Sequence, residues 1–298
     1  MAFTLIKGTF HIKGYCPDGD SIRFKALNPN NWNKLYGPPV GLNRYDHVQL
    51  RMEAIDALET HFSGFHQPLL LARKATNFLL SSIGIDDVVW NKTQSEILCA
   101  EDGVEGYILS RTTEKNRRPV AFVFAGPAKE KDGTEVFLDI DLIKKSLNYR
   151  LMTKGLVYPT YYNGLFSELR MEFTEAMKRA KSRGLGIWRH DKTTSGFFAD
   201  LEELTMQSVI LPKLFRRIVE HASIGEDAGE FKEFLAANCE PVVRIPQVHF
   251  TRLETVVEID EDNDLIRLTE APEDLIFLDK VLCKKSYQLT PEDGSDKI

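Results

Sequence analysis

Apolar and polar residues alternate from Gln49 to Ala54, with Leu50, Met52 and Ala54 on one side and Gln49, Arg51 and Glu53 on the other, the period of a half-buried strand. Asp56 continues the apolar phase. A carboxylate aimed at a core is costly unless something pairs with it, so Asp56 is either salt-bridged or holds a cation. The same alternation runs over 21–26, after the turn dipeptide Asp18-Gly19, and Asp20 stands at the start of that strand. Further short strands are predicted over 88–91, 95–100, 106–111 and 119–124. Helical spacing of Leu70, Leu71, Ala75, Phe78 and Leu79 predicts a helix over 67–82, with Pro68 in its first turn. A second helix, over 139–154, buries Ile140, Ile143, Leu147 and Leu151 and stops at Gly155; a third covers 167–182 and ends at Arg183-Gly184. Five strands and three helices, with the first helix interrupting the strands, fit a small closed Greek-key barrel of the OB type, an α+β fold.

Between these elements, 28–47 is rich in Asn, Pro and Gly, and a loop of that length in a compact domain is functional or disordered. Trp32, Tyr36 and Tyr45 interleaved with Lys34 and Arg44 suit contact with bases and phosphates, or pin the loop to the surface. Beyond 193 the pattern predicts helices over 211–222 and 230–238, the first with Leu214, Phe215, Ile218 and Val219 on one face. A hairpin comes next, over 256–259 and 265–268, then 271–278 and a frayed tail after Gln288. Asp260, Asp262 and Asp264 imitate an EF-hand start, but Leu265 stands where that loop requires glycine, so a solvated hairpin tip is expected.

Charge divides the chain at the same place. Net charge is −6, yet residues 1–192 carry 27 basic and 22 acidic side chains, whereas 193–298 carry 11 and 22. Two domains are expected, 1–192 and an acidic α+β domain over 193–298 that restrains nucleic-acid binding, takes a basic protein partner or completes the fold. No apolar run approaches the roughly 18 residues of a membrane span, and the N-terminus does not read as an export signal. A cytoplasmic location and no membrane partner are expected. Cys16, Cys99, Cys239 and Cys283 lack metal-ligand spacing and read as reduced thiols.

Three carboxylates, Asp20, Asp56 and Glu59, and two arginines, Arg51 and Arg118, stand at strand ends or turns. Two carboxylates and a backbone carbonyl leave most positions of a hard cation open to water and a substrate phosphate. Glu59 is then free to act as general base, and the arginines to hold phosphoryl oxygens. The reaction expected is metal-assisted phosphodiester hydrolysis. Arg51 and Asp56 are an odd number of residues apart, so a straight strand sends them to opposite faces; one site needs a bend or bulge between them. His61 and His66, just past the cluster, are thin evidence for zinc.

The order of these blocks resembles the staphylococcal nuclease family. Asp18-Gly-Asp-Ser-Ile22 looks like its DGDT strand start, RMEAIDALET (51–60) like its R-x-x-x-[IV]-D-T-P-E-T segment, and EKNRRPVA (114–121) like its DKYGR strand. Asn148-x-x-Leu151-x-x-x-Gly155-Leu156 and Gly184-Leu-Gly-Ile-Trp188 resemble its closing helices. The resemblance covers about two-thirds of the chain, from Thr9 to His190. It implies a five-stranded OB barrel with three helices, Ca²⁺ (Mg²⁺ as alternative) on Asp20, Asp56 and the Ala57 carbonyl, and catalysis by Arg51, Glu59 and Arg118. Lys115 and one or more of Tyr158, Tyr161 and Tyr162 would contact substrate, which would be DNA or RNA. An inactive nucleic-acid or protein-binding module on the same barrel is the alternative. Three departures stand out: Ala57 replaces a threonine, Leu58 a proline that aims Glu59, and Arg117 a glycine, so a positive φ there would be strained.

Overall fold

The computed structural model describes residues 2–225, 230–260 and 265–278. In chain order the elements up to Ser182 are β1 (Ala2–His11), β2 (Arg23–Ala26), β3 (Val48–Gln49), β4 (Arg51–Met52), β5 (Ile55–Ala57), α1 (Leu69–Ser82), β6 (Val89–Trp90), β7 (Ile97–Cys99), β8 (Val104–Thr113), β9 (Pro119–Ala125), β10 (Glu135–Phe137), α2 (Ile140–Ile143), α3 (Leu147–Thr153), β11 (Val157–Pro159), β12 (Tyr161–Tyr162) and α4 (Ser167–Ser182). Beyond them lie β13 (Phe197–Phe198), α5 (Leu201–Met206), α6 (Pro212–Ser223), α7 (Phe231–Asn238), β14 (Pro241–Arg244), β15 (His249–Arg252), β16 (Val257–Asp260), β17 (Leu265–Leu268) and β18 (Leu275–Phe277).

The fold is mixed α+β around a nearly closed, barrel-shaped sheet. Its order is β3-β2-β1-β8-β9-β4, with β10 added on β1. Only Leu50 separates β3 from β4, so one segment reaches both edges: Phe24 pairs with Val48 on one side, Arg51 with Val120 and Met52 with Ala121 on the other. That segment draws the sheet together. In the middle of the sheet Gly8 faces Gly106 in register. A Cβ on Gly8 would lie 2.0 Å from the Lys25 carbonyl oxygen, and one on Gly106 2.2 Å from the Phe10 ring, so the backbones approach only because no side chain intervenes.

Ala2–His11, over which the sequence pattern predicts no element, is the strand at the middle of the sheet. The helix expected over 139–154 is two: Asp139 caps α2 and Ser146 caps α3, each side chain accepting a backbone N–H three residues on. Gly155 ends α3 at φ +66°, as a C-terminal glycine does. Helix α4 spans the predicted 167–182. The long loop contains a 3₁₀ turn, Pro29–Lys34, pinned by buried Trp32, while Tyr36 and Tyr45 are exposed.

The later elements are joined to the earlier ones. β12 pairs in parallel with β18, Tyr161 with Ile276, in a sheet of order β12-β18-β14-β15. Helix α5 and strands β14 and β15 fall where no element was predicted; the β16–β17 hairpin forms as expected, with its tip residues Asp262 and Asp264, and the tail after Gln288, outside the described residues. Cys16 and Cys99 are free, but Cys239 is disulfide-bonded, which corrects the expectation of reduced thiols throughout. Among the described residues no helix is long and apolar enough to cross a membrane.

Candidate active site

The bend that one site requires is present. Between β4 and β5 the chain turns at Glu53-Ala54, and Ala54 adopts φ +70°. Buried Asn148 clamps this turn to β9: its Oδ1 accepts the Val123 N–H (2.9 Å), and its Nδ2 donates to the carbonyls of Glu53 (2.9 Å) and Ala121 (3.0 Å). Past the turn, β5 leaves the barrel to pair with β11, Asp56 opposite Tyr158. Arg51 therefore projects from the barrel wall, while Asp56 is buried beside α6, which packs on β5.

Asp20 reaches the same place from the start of β2. Its carboxylate accepts the Ala57 N–H (3.2 Å), and its backbone carbonyl accepts the Met52 N–H (2.9 Å). Asp18 accepts the Thr60 hydroxyl. Glu59 does not depend on the missing proline. Leu58 is fully buried, and Gln67 grips Glu59 twice, its Oε1 taking the Glu59 N–H (3.1 Å) and its N–H giving to the Glu59 carbonyl (2.9 Å). Gln67 Nε2 donates to the Ile210 carbonyl (2.8 Å), so the same side chain ties this segment to the start of α6.

Four carboxyl groups thus share one buried neighbourhood, where burial and like charges disfavour the ionised forms of Asp20 and Glu59. Asp20 is pushed up to about 8, by burial first and then by Asp56, Asp18 and Glu59. Burial pushes Glu59 up to about 7, against the opposing pull of Arg216 and with Asp56 and Asp18 adding to it. Burial also raises Asp18.

The cation facing this cluster is a residue that sequence reasoning missed. Arg216 of α6 donates from Nη1 to Asp56 Oδ1 (3.1 Å) and from Nη2 to Asp56 Oδ2 (2.8 Å), and Nη1 also contacts Glu59 Oε1. Both oxygens of Asp56 are thereby engaged. Of the two outcomes open for Asp56, ion pair or cation, this conformation has the ion pair. Among the described residues no group of three or more His, Cys, Asp or Glu is arranged to hold a metal ion. Of the groups expected to share Ca²⁺ or Mg²⁺, Asp56 has a guanidinium on both oxygens in this conformation, and Asp20 accepts the Ala57 N–H.

The expected phosphate clamps have partners of their own. The Arg51 guanidinium lies 4.5 Å above the Tyr162 ring. Arg118 immediately precedes β9, two residues from Val120, the register partner of Arg51. Its Nε donates to Glu114 Oε1 (3.0 Å). Arg117 does adopt the left-handed conformation, φ +64°, held by bonds from its guanidinium to the carbonyls of Pro39 (2.9 Å) and Val40 (3.3 Å) in the long loop. Lys115 is exposed at the tip of the same turn.

The three tyrosines separate. Tyr158 and Tyr161 are fully buried, their hydroxyls bonded to Asp191 (2.8 Å) and Thr174 (2.8 Å), so neither offers a ring face to a nucleotide here. Tyr162 alone is at the site, stacked on Arg51. A polar cleft of about 290 Å³ is lined by His11, Tyr15, Cys16, Arg23 and His61. His61 is pushed up to about 9, chiefly by its hydrogen bond with Cys16, against burial and with help from Asp18.

No known protein family and no curated protein matches the chain.

Proposed function

We propose that the cluster hydrolyses phosphodiester bonds of DNA or RNA, on a barrel of the staphylococcal nuclease type. The observation that supports this best is the turn at Ala54, which carries Asp56 and Glu59 off the barrel to meet Asp20 within a few residues of Arg51. Glu59, with a carboxyl titrating near 7, is suited to take a proton from water at neutral pH. Arg51 and Arg118, on the adjacent β4 and β9 segments, are the groups to grip phosphoryl oxygens and offset the charge that grows on them. Tyr162 holds the Arg51 guanidinium flat, limiting its freedom before a phosphate arrives.

A non-catalytic binding module is the second reading, and one observation favours it: Arg216 already neutralises Asp56 and contacts Glu59. Digestion of plasmid and of RNA by the full chain, with Ca²⁺, Mg²⁺ or EDTA, beside Glu59→Gln, separates the two. The enzyme reading expects cleavage by the native chain, or by Arg216→Met where Arg216 holds the native chain in check, and at least about a 100-fold loss when Glu59→Gln is introduced. Equal cleavage with and without Glu59→Gln, or none by any of these proteins, sinks it.

A further inference from the structure

We propose that Arg216 closes the carboxylate site to divalent cations, its guanidinium standing in the place of an ion until α6 or the side chain withdraws. A guanidinium that spans both oxygens of Asp56 and reaches Glu59 uses the fork that matches a carboxylate best, and it sets a positive charge where a second cation would have to approach both carboxylates. Asp56 and Glu59 belong to the residues at which a cation or an attacking water would have to act. The contact is between segments 160 residues apart, so it is a product of the fold.

The helix that carries Arg216 is fixed at several points. Leu214, Phe215, Ile218 and Val219 are buried. On the flanks, Lys213 pairs with Glu240 (2.7 Å) and Arg217 with Glu240 and Glu220. At its start, Leu211 N–H donates to Thr193 Oγ1 (3.0 Å), and Ile210 accepts from Gln67. Arg216 is delivered into the cluster by a packed element, with its own side chain about three-quarters covered.

Departure of Arg216 would leave the cluster's charge exposed. His61 stands 3.7 Å from Asp18, whereas the cation bonded to both Asp56 and Glu59 is Arg216, so its loss leaves those two carboxyl groups to protons or to another cation. An arginine does not give up its proton in the physiological range, so the cation does not leave by deprotonation, and displacement of the side chain or of α6 is what frees both oxygens of Asp56. The site is therefore indifferent to Ca²⁺ in the conformation seen and competent for it once Arg216 is gone. The consequence for hydrolysis, that α6 holds the activity in check, rests on the function proposed above; the exclusion of cations rests on geometry alone.

Calorimetric titration of the full chain with CaCl₂ and no substrate, supported by terbium luminescence, tests it. The native chain is expected to show no saturable binding below millimolar Ca²⁺. Arg216→Met, similar in length and uncharged, is expected to bind at least about 10-fold more tightly, and Arg216→Met/Asp56→Asn to lose the gain. Ca²⁺ affinity equal in the native chain and Arg216→Met overturns the proposal. Should Arg216→Met fail to fold by circular dichroism, the native chain decides: micromolar Ca²⁺ binding abolished by Asp56→Asn overturns the proposal, and no such binding upholds it. Because no step involves nucleic acid, absence of cleavage by every variant would count against the proposed activity and leave this result standing.

Discussion

Asn148→Ala is the perturbation whose cost can be worked most directly from the structure, because one buried amide closes the turn on which the site depends. Its loss leaves the Val123 N–H and the Glu53 carbonyl without the partners they have now, whereas the Ala121 carbonyl still accepts the Glu53 N–H at 2.9 Å. The buried Val123 N–H left unsatisfied costs about 1–3 kcal/mol and the part-buried Glu53 carbonyl less, so a loss of about 1–4 kcal/mol is expected. That is a large share of a stability that for globular domains is about 5–15 kcal/mol. Urea denaturation followed by tryptophan fluorescence measures it. Asn148→Asp sharpens the test: the carboxylate can still accept from Val123, but it faces two carbonyls with nothing to donate unless it is protonated. Its deficit relative to the native chain should therefore shrink as pH falls from about 7 to about 5. A loss under about 1 kcal/mol for Asn148→Ala, or an Asn148→Asp deficit that does not depend on pH, refutes the account of the turn.

Two further outcomes are expected in the same region. Asp20 and Glu59 titrate near 8 and 7 in the fold against ordinary values of 3.8 and 4.5, so the native state binds more protons between about pH 4 and 8 and their contribution to stability falls as pH rises through that window. Asp20→Asn should flatten the decline; thermal melts across that window in which the variant declines as steeply as the native chain contradict the shift. At Arg117, Ala and Gly both delete the bonds to Pro39 and Val40 but only Gly is at ease at φ +64°. Arg117→Gly should be more stable than Arg117→Ala by about 1 kcal/mol in urea melts, and equal midpoints would mean that the position is not strained.

What the sequence made legible was local. Period-2 and period-3.6 patterns found β8, β9, α1, α4 and α6 to within a few residues, since each buries one face and says so in its own composition. Strand β1 carries a mixed signal: Phe3 to Ile6 are buried consecutively, on both faces, and only from Ile6 do buried Ile6, Gly8 and Phe10 alternate with Lys7, Thr9 and His11, a short pattern that Gly8 weakens. The single helix expected over 139–154 fails at Ser146, whose hydroxyl takes the Tyr149 N–H and starts a new helix. At the site, the odd spacing of Arg51 and Asp56 correctly demands a bend, but its position, Glu53-Ala54, is set by Asn148 almost a hundred residues away. The lack of a proline at Leu58 is offset from a distance in the same way: Gln67 and burial of Leu58 do what the proline would have done.

Arg216 shows where reading by composition stops. Averaged over 193–298 the chain is strongly acidic, and an acidic appendage suggests a basic partner. Yet the residue that this segment places at the carboxylate cluster is an arginine, and Lys213 and Arg217, on the same helix, are bound to Glu240. Electrostatic energy falls off with distance and with solvent screening, so a guanidinium at 2.8 Å in a buried pocket outweighs a surplus of exposed carboxylates a Debye length of roughly 8–10 Å or more away. The sign that matters to the cluster is that of one side chain. The net charge of 193–298 accordingly gives no measure of how this segment acts on Asp56 and Glu59. Neutralising the exposed Glu233 of α7 should leave Ca²⁺ exclusion unchanged, whereas removing the one charge at 216 should end it.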